Sequence, residues 1–156
     1  MSKRVLDIVA VNIRSAQNVG ALFRTADSLG VNKIWLAGYT PTPEHKMVAK
    51  TALGAETSVP WESVTDPIEC LERLKRDGVR IVGLEVADSA TDLTTYQPQF
   101  PLALVLGNEV EGLTTMQLAR CDDVVSIKQE GQKESLNVTI AAGIAVWALL
   151  NKEIIV

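Results

Sequence analysis

The chain has little that could hold a metal or a disulfide: one histidine, His45, and two cysteines, Cys70 and Cys121, among 156 residues. Those cysteines lie far apart and without metal-type spacing, so they read as free thiols of a reducing cytoplasm, and no metal site is expected. Long apolar runs are also missing. The longest candidate, Val138 to Leu150, is interrupted by Thr139 and Gly143 and falls short of the roughly 20 residues that a membrane span needs. Lys3-Arg4 leads directly into a strand-like segment containing Asp7, which is not the pattern of a signal peptide. There is no excess of positive charge either: 15 Lys and Arg stand against 19 Asp and Glu, a net charge of −4. Nucleic-acid binders usually carry a basic balance, so any such binding must come from a local patch, a dimer groove or a helper subunit. The first strand–helix turn lacks the G-x-G-x-x-G phosphate loop, which disfavours a Rossmann-type nucleotide enzyme. No Gly/Ser/Pro linker divides the chain, so residues 1–156 are expected to form one domain.

What is present is globular: 47% hydrophobic and 22% charged residues, enough to bury a core. Strand-like runs dense in Val, Ile and Leu alternate with helical patterns. Arg4 to Val11 reads as a first strand. Val19, Leu22, Phe23, Ala26 and Leu29 give Asn18 to Leu29 helical periodicity, with Asn18 a natural N-cap and Gly30 the stop. Lys33 to Ala37 reads as a second strand, Glu44 to Thr51 as a short helix, and Leu53-Gly54-Ala55 as a turn. Asp66 to Asp77 has a capping Asp66, Pro67 at the first helical position, a stripe of Ile68, Leu71 and Leu74, and a terminal Gly78. Glu69–Arg73 and Glu72–Arg76 are spaced as i,i+4 pairs. Val79 to Leu84 and Leu102 to Leu106 are continuous apolar runs, the mark of central parallel strands covered on both faces. Thr114 to Ala119 reads as a helix, Val124 to Ile127 as a strand, and Ser135 to Leu150 as a nearly all-apolar helix that must be buried on the sheet, on a partner, or on both. The expected fold is α/β, a mostly parallel sheet flanked by helices.

Three segments carry polar residues where scaffold does not need them. Asn12 to Arg24 joins a strand to a helix, with Arg24 one turn beyond Gly20 and off the apolar stripe; a solvated Arg on a capped helix explains it as well as an anion site does. Leu106-Gly107-Asn108-Glu109 with Gly112 ends a buried strand, where α/β sheets bind ligands. A plain Gly-Asn turn would explain Gly107 and Asn108 but neither the acid nor Gly112. Ile127 to Asn137 is a polar loop around Gly131 entering a helix for which Ser135 is the simplest N-cap, and free N–H groups there could hold an anion. Capping explains Ser135 but explains Asn137 poorly.

Together these segments resemble the three motifs of the SpoU (TrmH-type) RNA 2′-O-ribose methyltransferases of the SPOUT class: Asn18-Val-Gly20 with Arg24 to Gly30, then Leu106 to Glu109 with Gly112, then Ile127, Gly131 and Ser135-Leu136-Asn137-Val138. Lys50 to Glu56 is similar to the family's segment between the first two motifs. Lys128 and Gln129 depart from the family's frequent Ile-Pro-Met start, and many members carry an N-terminal RNA-binding domain, which is not expected here. The resemblance implies a C-terminal trefoil knot, a homodimer, and S-adenosylmethionine (AdoMet) as methyl donor to an RNA ribose. It implies cofactor contacts at Leu84, Glu85, Leu106, Gly107, Asn108, Ile127, Gln129, Ser135 and Leu136. It implies a reaction pocket of Asn18, Arg24, Glu109, Ser135 and Asn137, with contributions from both subunits. Because a guanidinium is effectively always protonated, Arg24 fits a phosphate anchor better than a general base. The stretch Gly131 to Trp147 is most similar to the tRNA guanosine group, so tRNA is the expected substrate. The alternatives are rRNA, or a catalytically silent AdoMet- or RNA-binding module acting through a partner.

Overall fold

A computed structural model describes residues 3–86, 89–131 and 136–153. In chain order, β1 (Leu6–Val11) leads to α1 (Ala16–Leu29), β2 (Lys33–Ala37), α2 (Lys46–Ala52), α3 (Ala55–Ser58) and β3 (Trp61–Val64). Then come α4 (Pro67–Arg76), β4 (Arg80–Leu84), β5 (Thr91–Asp92), β6 (Leu102–Leu106), α5 (Thr115–Ala119), β7 (Asp123–Ser126) and α6 (Val138–Asn151). The strands form one seven-stranded sheet in the order β3-β2-β1-β6-β4-β7-β5, and every strand pairing is parallel.

The sheet has a core on each face, which is why its central strands read as unbroken apolar runs. On β1, Leu6, Ile8 and Ala10 pack with Val19, Leu22 and Phe23 of α1 and with Ala142, Ala145 and Val146 of α6. The alternate residues Val9 and Val11 pack with Cys70, Leu71 and Leu74 of α4. This is the period of two that a pleated strand imposes. The chain steps outward from β1 to β2 to β3, then returns on the other side through β4 and inserts β6 beside β1. That reversal sets the loop after β6 beside the end of β1, at the carboxyl edge where open α/β sheets take ligands.

Helix α1 starts earlier than its periodicity suggests. Ser15, not Asn18, is the N-cap, and its side chain accepts from the Asn18 N–H. The apolar stripe begins only at Val19, so the first helical turn is polar and hides the boundary. Gly20 lets α2 approach: a Cβ there would stand 1.8 Å from Thr51 Oγ1 and 2.7 Å from the Val48 carbonyl oxygen. α4 keeps its Asp66 cap and leading Pro67, but its expected i,i+4 ion pairs do not form. Arg73 instead reaches Glu62 on β3 at 2.8 Å, and Glu72 meets Arg120 at 3.5 Å, so one member of each expected pair is taken by a tertiary neighbour. β3, β5 and α3 are short elements without a distinct sequence period. Cys70 is buried and Cys121 is half-buried, both as free thiols.

α6 is apolar around its whole circumference. Ala142, Ala145, Val146 and Leu149 are buried, while Ile140, Ile144 and Trp147 are left exposed. Its N-cap is Asn137, whose side-chain oxygen accepts from the Thr139 N–H at 2.8 Å, so the helix begins after Ser135 and Asn137 precedes its first turn. Ser135 lies outside the described residues. No helix among the described residues is long and apolar enough to cross a membrane.

Candidate functional site

The carboxyl ends of the central strands open into a pocket of about 480 Å3. Leu84 and Glu85 enter it from the end of β4, Leu106 and Gly107 from β6, and Ile127 and Gln129 from the segment after β7. Asn18 of α1 and Leu136, Asn137, Val138 and Ala141 at the start of α6 close another side. Gly107 is required because the loop after β6 closes back on it: a Cβ on it would stand 2.5 Å from both Gly112 C and Leu113 N. The Glu85 carboxylate holds the same loop, accepting from the Leu113 N–H at 2.7 Å. Glu85 therefore braces the pocket wall through its carboxylate, a role that its apolar sequence context did not signal.

Glu109 ties the β6 loop to the start of α1. One carboxylate oxygen accepts from the Arg14 N–H and the other from the Ser15 N–H, both at 2.9 Å, and Asn18 Nδ2 donates to it at 3.3 Å. Burial alone would raise the pKa of Glu109. The backbone N–H groups of Arg14 and Ser15, helped by Asn18, outweigh it and hold the carboxyl below its ordinary value. Asn18 Oδ1 in turn accepts from Asn137 Nδ2 at 3.4 Å. Glu109, Asn18 and Asn137 thus form one hydrogen-bonded line along the pocket, from three segments far apart in sequence.

Asn108 spends its side chain on the loop itself. Its Nδ2 donates to the Asn12 carbonyl and to the Tyr39 hydroxyl, both at 2.8 Å, while its Oδ1 accepts from the N–H groups of Val110 and Glu111. Any ligand contact at Asn108 is left to its backbone. Neither Asn12 nor Tyr39 was marked as a site residue in the sequence, although Asn12 directly follows β1 and Tyr39 stands two residues beyond β2. Val86 and Val110, exposed at the pocket mouth, were missed as well and carry no distinguishing pattern.

Arg24 does not join the pocket of its own chain. It lies on the exposed side of α1, about 9 Å along the helix axis from Asn18, and makes no hydrogen bond or ion pair among the described residues. Its neighbour Thr25 packs on α6, where a Cβ on Gly143 would stand 3.4 Å from Thr25 Cγ2. Ile140 and Trp147 lie one turn to either side of Gly143. No group of three or more metal-ligating side chains occurs among the described residues.

A family model described as the SpoU rRNA Methylase family matches residues 6–147. The chain belongs to that family. Its relatives include a 23S rRNA (guanosine-2′-O-)-methyltransferase of Ralstonia nicotianae, 33% identical over 96% of this chain and 59% of that protein. Among solved structures, an AdoMet-bound rRNA methyltransferase from Sinorhizobium meliloti superposes with a TM-score of 0.87 at 27% identity, covering 95% of this chain and 56% of that one. A TrmH/SpoU tRNA modifying enzyme of A. aeolicus superposes with a TM-score of 0.84 at 26% identity, covering 95% and 75%. The chain spans about three fifths of the length of the curated relatives it matches. Its parallel sheet and flanking helices are those of the SpoU fold within the SPOUT class.

Proposed function

We propose that this chain is an AdoMet-dependent RNA methyltransferase acting on a ribose 2′-hydroxyl, with tRNA as substrate. The observation that carries this reading is the pocket itself, where the ends of β4, β6 and β7 meet the line of Glu109, Asn18 and Asn137. Its volume of about 480 Å3 falls within the range of small-molecule sites. Its lining mixes strand-end backbone and aliphatic side chains with amides and the carboxylates of Glu85, Glu109 and Glu111, which suits a cationic nucleoside joined to an amino acid. Leu84, Leu106, Gly107, Ile127, Gln129 and Leu136 would hold AdoMet, with Ser135 completing the loop; when bound, that group supplies an electrophilic methyl. A C-terminal trefoil knot, as the resemblance implies, would bring the segments after β4, β6 and β7 together around this pocket.

The residues of the chain would do the rest by placement, which can contribute about 7–11 kcal/mol to a bimolecular step. Asn18 and Asn137 orient groups at the pocket mouth, and Glu109, ionised and fully occupied by its N–H donors, keeps that mouth rigid. Arg24 grips an RNA phosphate with its planar fork and reaches the reaction site from a second copy. Exposed Ile140, Ile144 and Trp147 on α6 favour that homodimer, because a stripe of large apolar side chains at helical spacing is costly to leave in water. A pair of chains also answers the net charge of −4, since a groove between them can gather the few cations locally. The Ralstonia relative keeps rRNA as the second reading.

The test is transfer of labelled methyl from AdoMet into pools of tRNA and rRNA, followed by digestion to nucleosides. Label in 2′-O-methylnucleosides supports the reading; label in a base, or none with AdoMet bound, overturns it. Arg24→Lys should lower kcat/KM for RNA at least about tenfold, because an ammonium cannot make the bidentate phosphate contact. Near-normal turnover at neutral pH would refute the need for the fork.

A further inference from the structure

Aromatic side chains are scarce in this chain, two Phe, three Trp and two Tyr, and most are at least half covered. Trp35 and Tyr96 are buried and Phe23 is wholly enclosed. Two are left largely exposed: Trp147, on the apolar stripe of α6, and Tyr39, 61% exposed with no apolar neighbourhood to explain it.

Tyr39 is nonetheless held in place with care. It follows β2 at the same carboxyl edge of the sheet as the pocket. Its N–H donates to Asn12 Oδ1 at 3.1 Å, and its hydroxyl accepts from Asn108 Nδ2 at 2.8 Å. Both anchors are themselves constrained. Asn12 adopts φ 52°, a left-handed conformation that costs a non-glycine residue energy. Gly38 takes φ 69° and lies so close to Asn12 that a Cβ would stand 1.9 Å from Asn12 Oδ1. Asn108 lines the pocket, whereas Tyr39 stands just outside it. The ring is therefore fixed at both ends, beside the cofactor-sized cavity, with its surface in water. Arg14 is on the same rim, its N–H on Glu109, and its exposed side chain forms no ion pair among the described residues. A rigid exposed aromatic and an exposed cation tied to successive residues of one loop, Asn108 and Glu109, are the combination that single-stranded nucleic acid binds, the base stacking on the ring and the phosphate meeting the cation.

We infer that Tyr39 is the stacking platform for a nucleobase of the RNA substrate, the base attached to or next to the ribose presented at the pocket, with Arg14 contacting the adjoining phosphate. This rests on the RNA methyltransferase reading above. Stacking on one face asks only for a π-surface, so Tyr39 would set the reach and position of the strand and would not choose between bases.

The experiment compares wild type, Tyr39→Ala and Tyr39→Phe in full-length protein, using labelled AdoMet with pooled tRNA and pooled rRNA, and measures AdoMet affinity separately by calorimetry. Tyr39→Ala should raise the KM for RNA about tenfold, as expected for loss of one stacked base, with AdoMet affinity changed less than about twofold. Tyr39→Phe keeps the ring but loses the bond from Asn108, and should stay within about threefold of wild type. An unchanged RNA KM in Tyr39→Ala overturns the assignment. So does a Tyr39→Phe defect equal to that of Tyr39→Ala, which would make the hydroxyl tether the active feature. If wild type methylates neither pool, the assignment falls together with the reading beneath it, whereas an active wild type with an equally active Tyr39→Ala sinks the assignment alone.

Discussion

Replacing Glu109 by Ala removes the acceptor of two backbone N–H groups, those of Arg14 and Ser15, each 2.9 Å away. Hydrogen bonds to a charged acceptor are worth about 1.5–3 kcal/mol each when their donors are left without a partner. The Arg14 bond is exposed, so water replaces much of it; the Ser15 bond is partly buried and carries most of the loss. We expect about 2 kcal/mol of destabilisation, equivalent to about 4–8 °C in Tm for a domain of this size. Urea unfolding measures it directly. The sign of the pH dependence follows from the depressed pKa of Glu109. The stabilisation is complete above the ordinary carboxylate value of 4.5 and disappears as pH falls through the lower folded value. The stability gap between wild type and Glu109→Ala should therefore be widest near neutrality and close in acid. Coincident unfolding midpoints at pH 7, with methyl transfer abolished, would refute the argument and give Glu109 a direct chemical part instead.

Two further perturbations follow from the same geometry. Gly107→Ala puts a methyl 2.5 Å from the Gly112 and Leu113 backbone, which cannot rotate away; the variant should lose about 3 kcal/mol and bind AdoMet at least about tenfold more weakly, and calorimetry showing wild-type affinity would contradict the tight closure of that loop. Ile144→Asp places a charge in the exposed stripe of α6, and light scattering should find wild type dimeric and the variant monomeric; a monomeric wild type would remove the proposed route by which Arg24 reaches the site.

The elements that could be read from the sequence are those whose side chains answer to one local period. β2 and β6 were legible to the residue because both faces of those strands are buried, and α4 because Asp66, Pro67 and Gly78 punctuate it. β3 escaped because Trp61–Val64 is an edge strand with half-exposed residues and no alternation. The start of α1 was misplaced by three residues because Ser15 and Asn18 are equally good caps in isolation. Only the bond from the Asn18 N–H to Ser15 distinguishes them. In the site, the strand end at Leu106-Gly107 could be located from where an apolar run stops, whereas Leu84 and Ile127 came only through the resemblance. The roles of Glu85, Asn108 and Tyr39 could not, since each depends on a partner at least 28 residues away.

By itself the sequence determined the parallel α/β architecture, the segments that would meet at its carboxyl edge and, through the resemblance, the family. These depend on burial periodicity and on polar residues at the ends of apolar runs, both of which act within one element. Which side chains serve as scaffolding depends instead on packing between distant segments. Glu109 finds its N–H donors some 95 residues back because β6 inserts beside β1, and that strand order is a property of the whole sheet. The same long-range packing leaves Arg24 outside its own pocket and fixes Tyr39 at the rim.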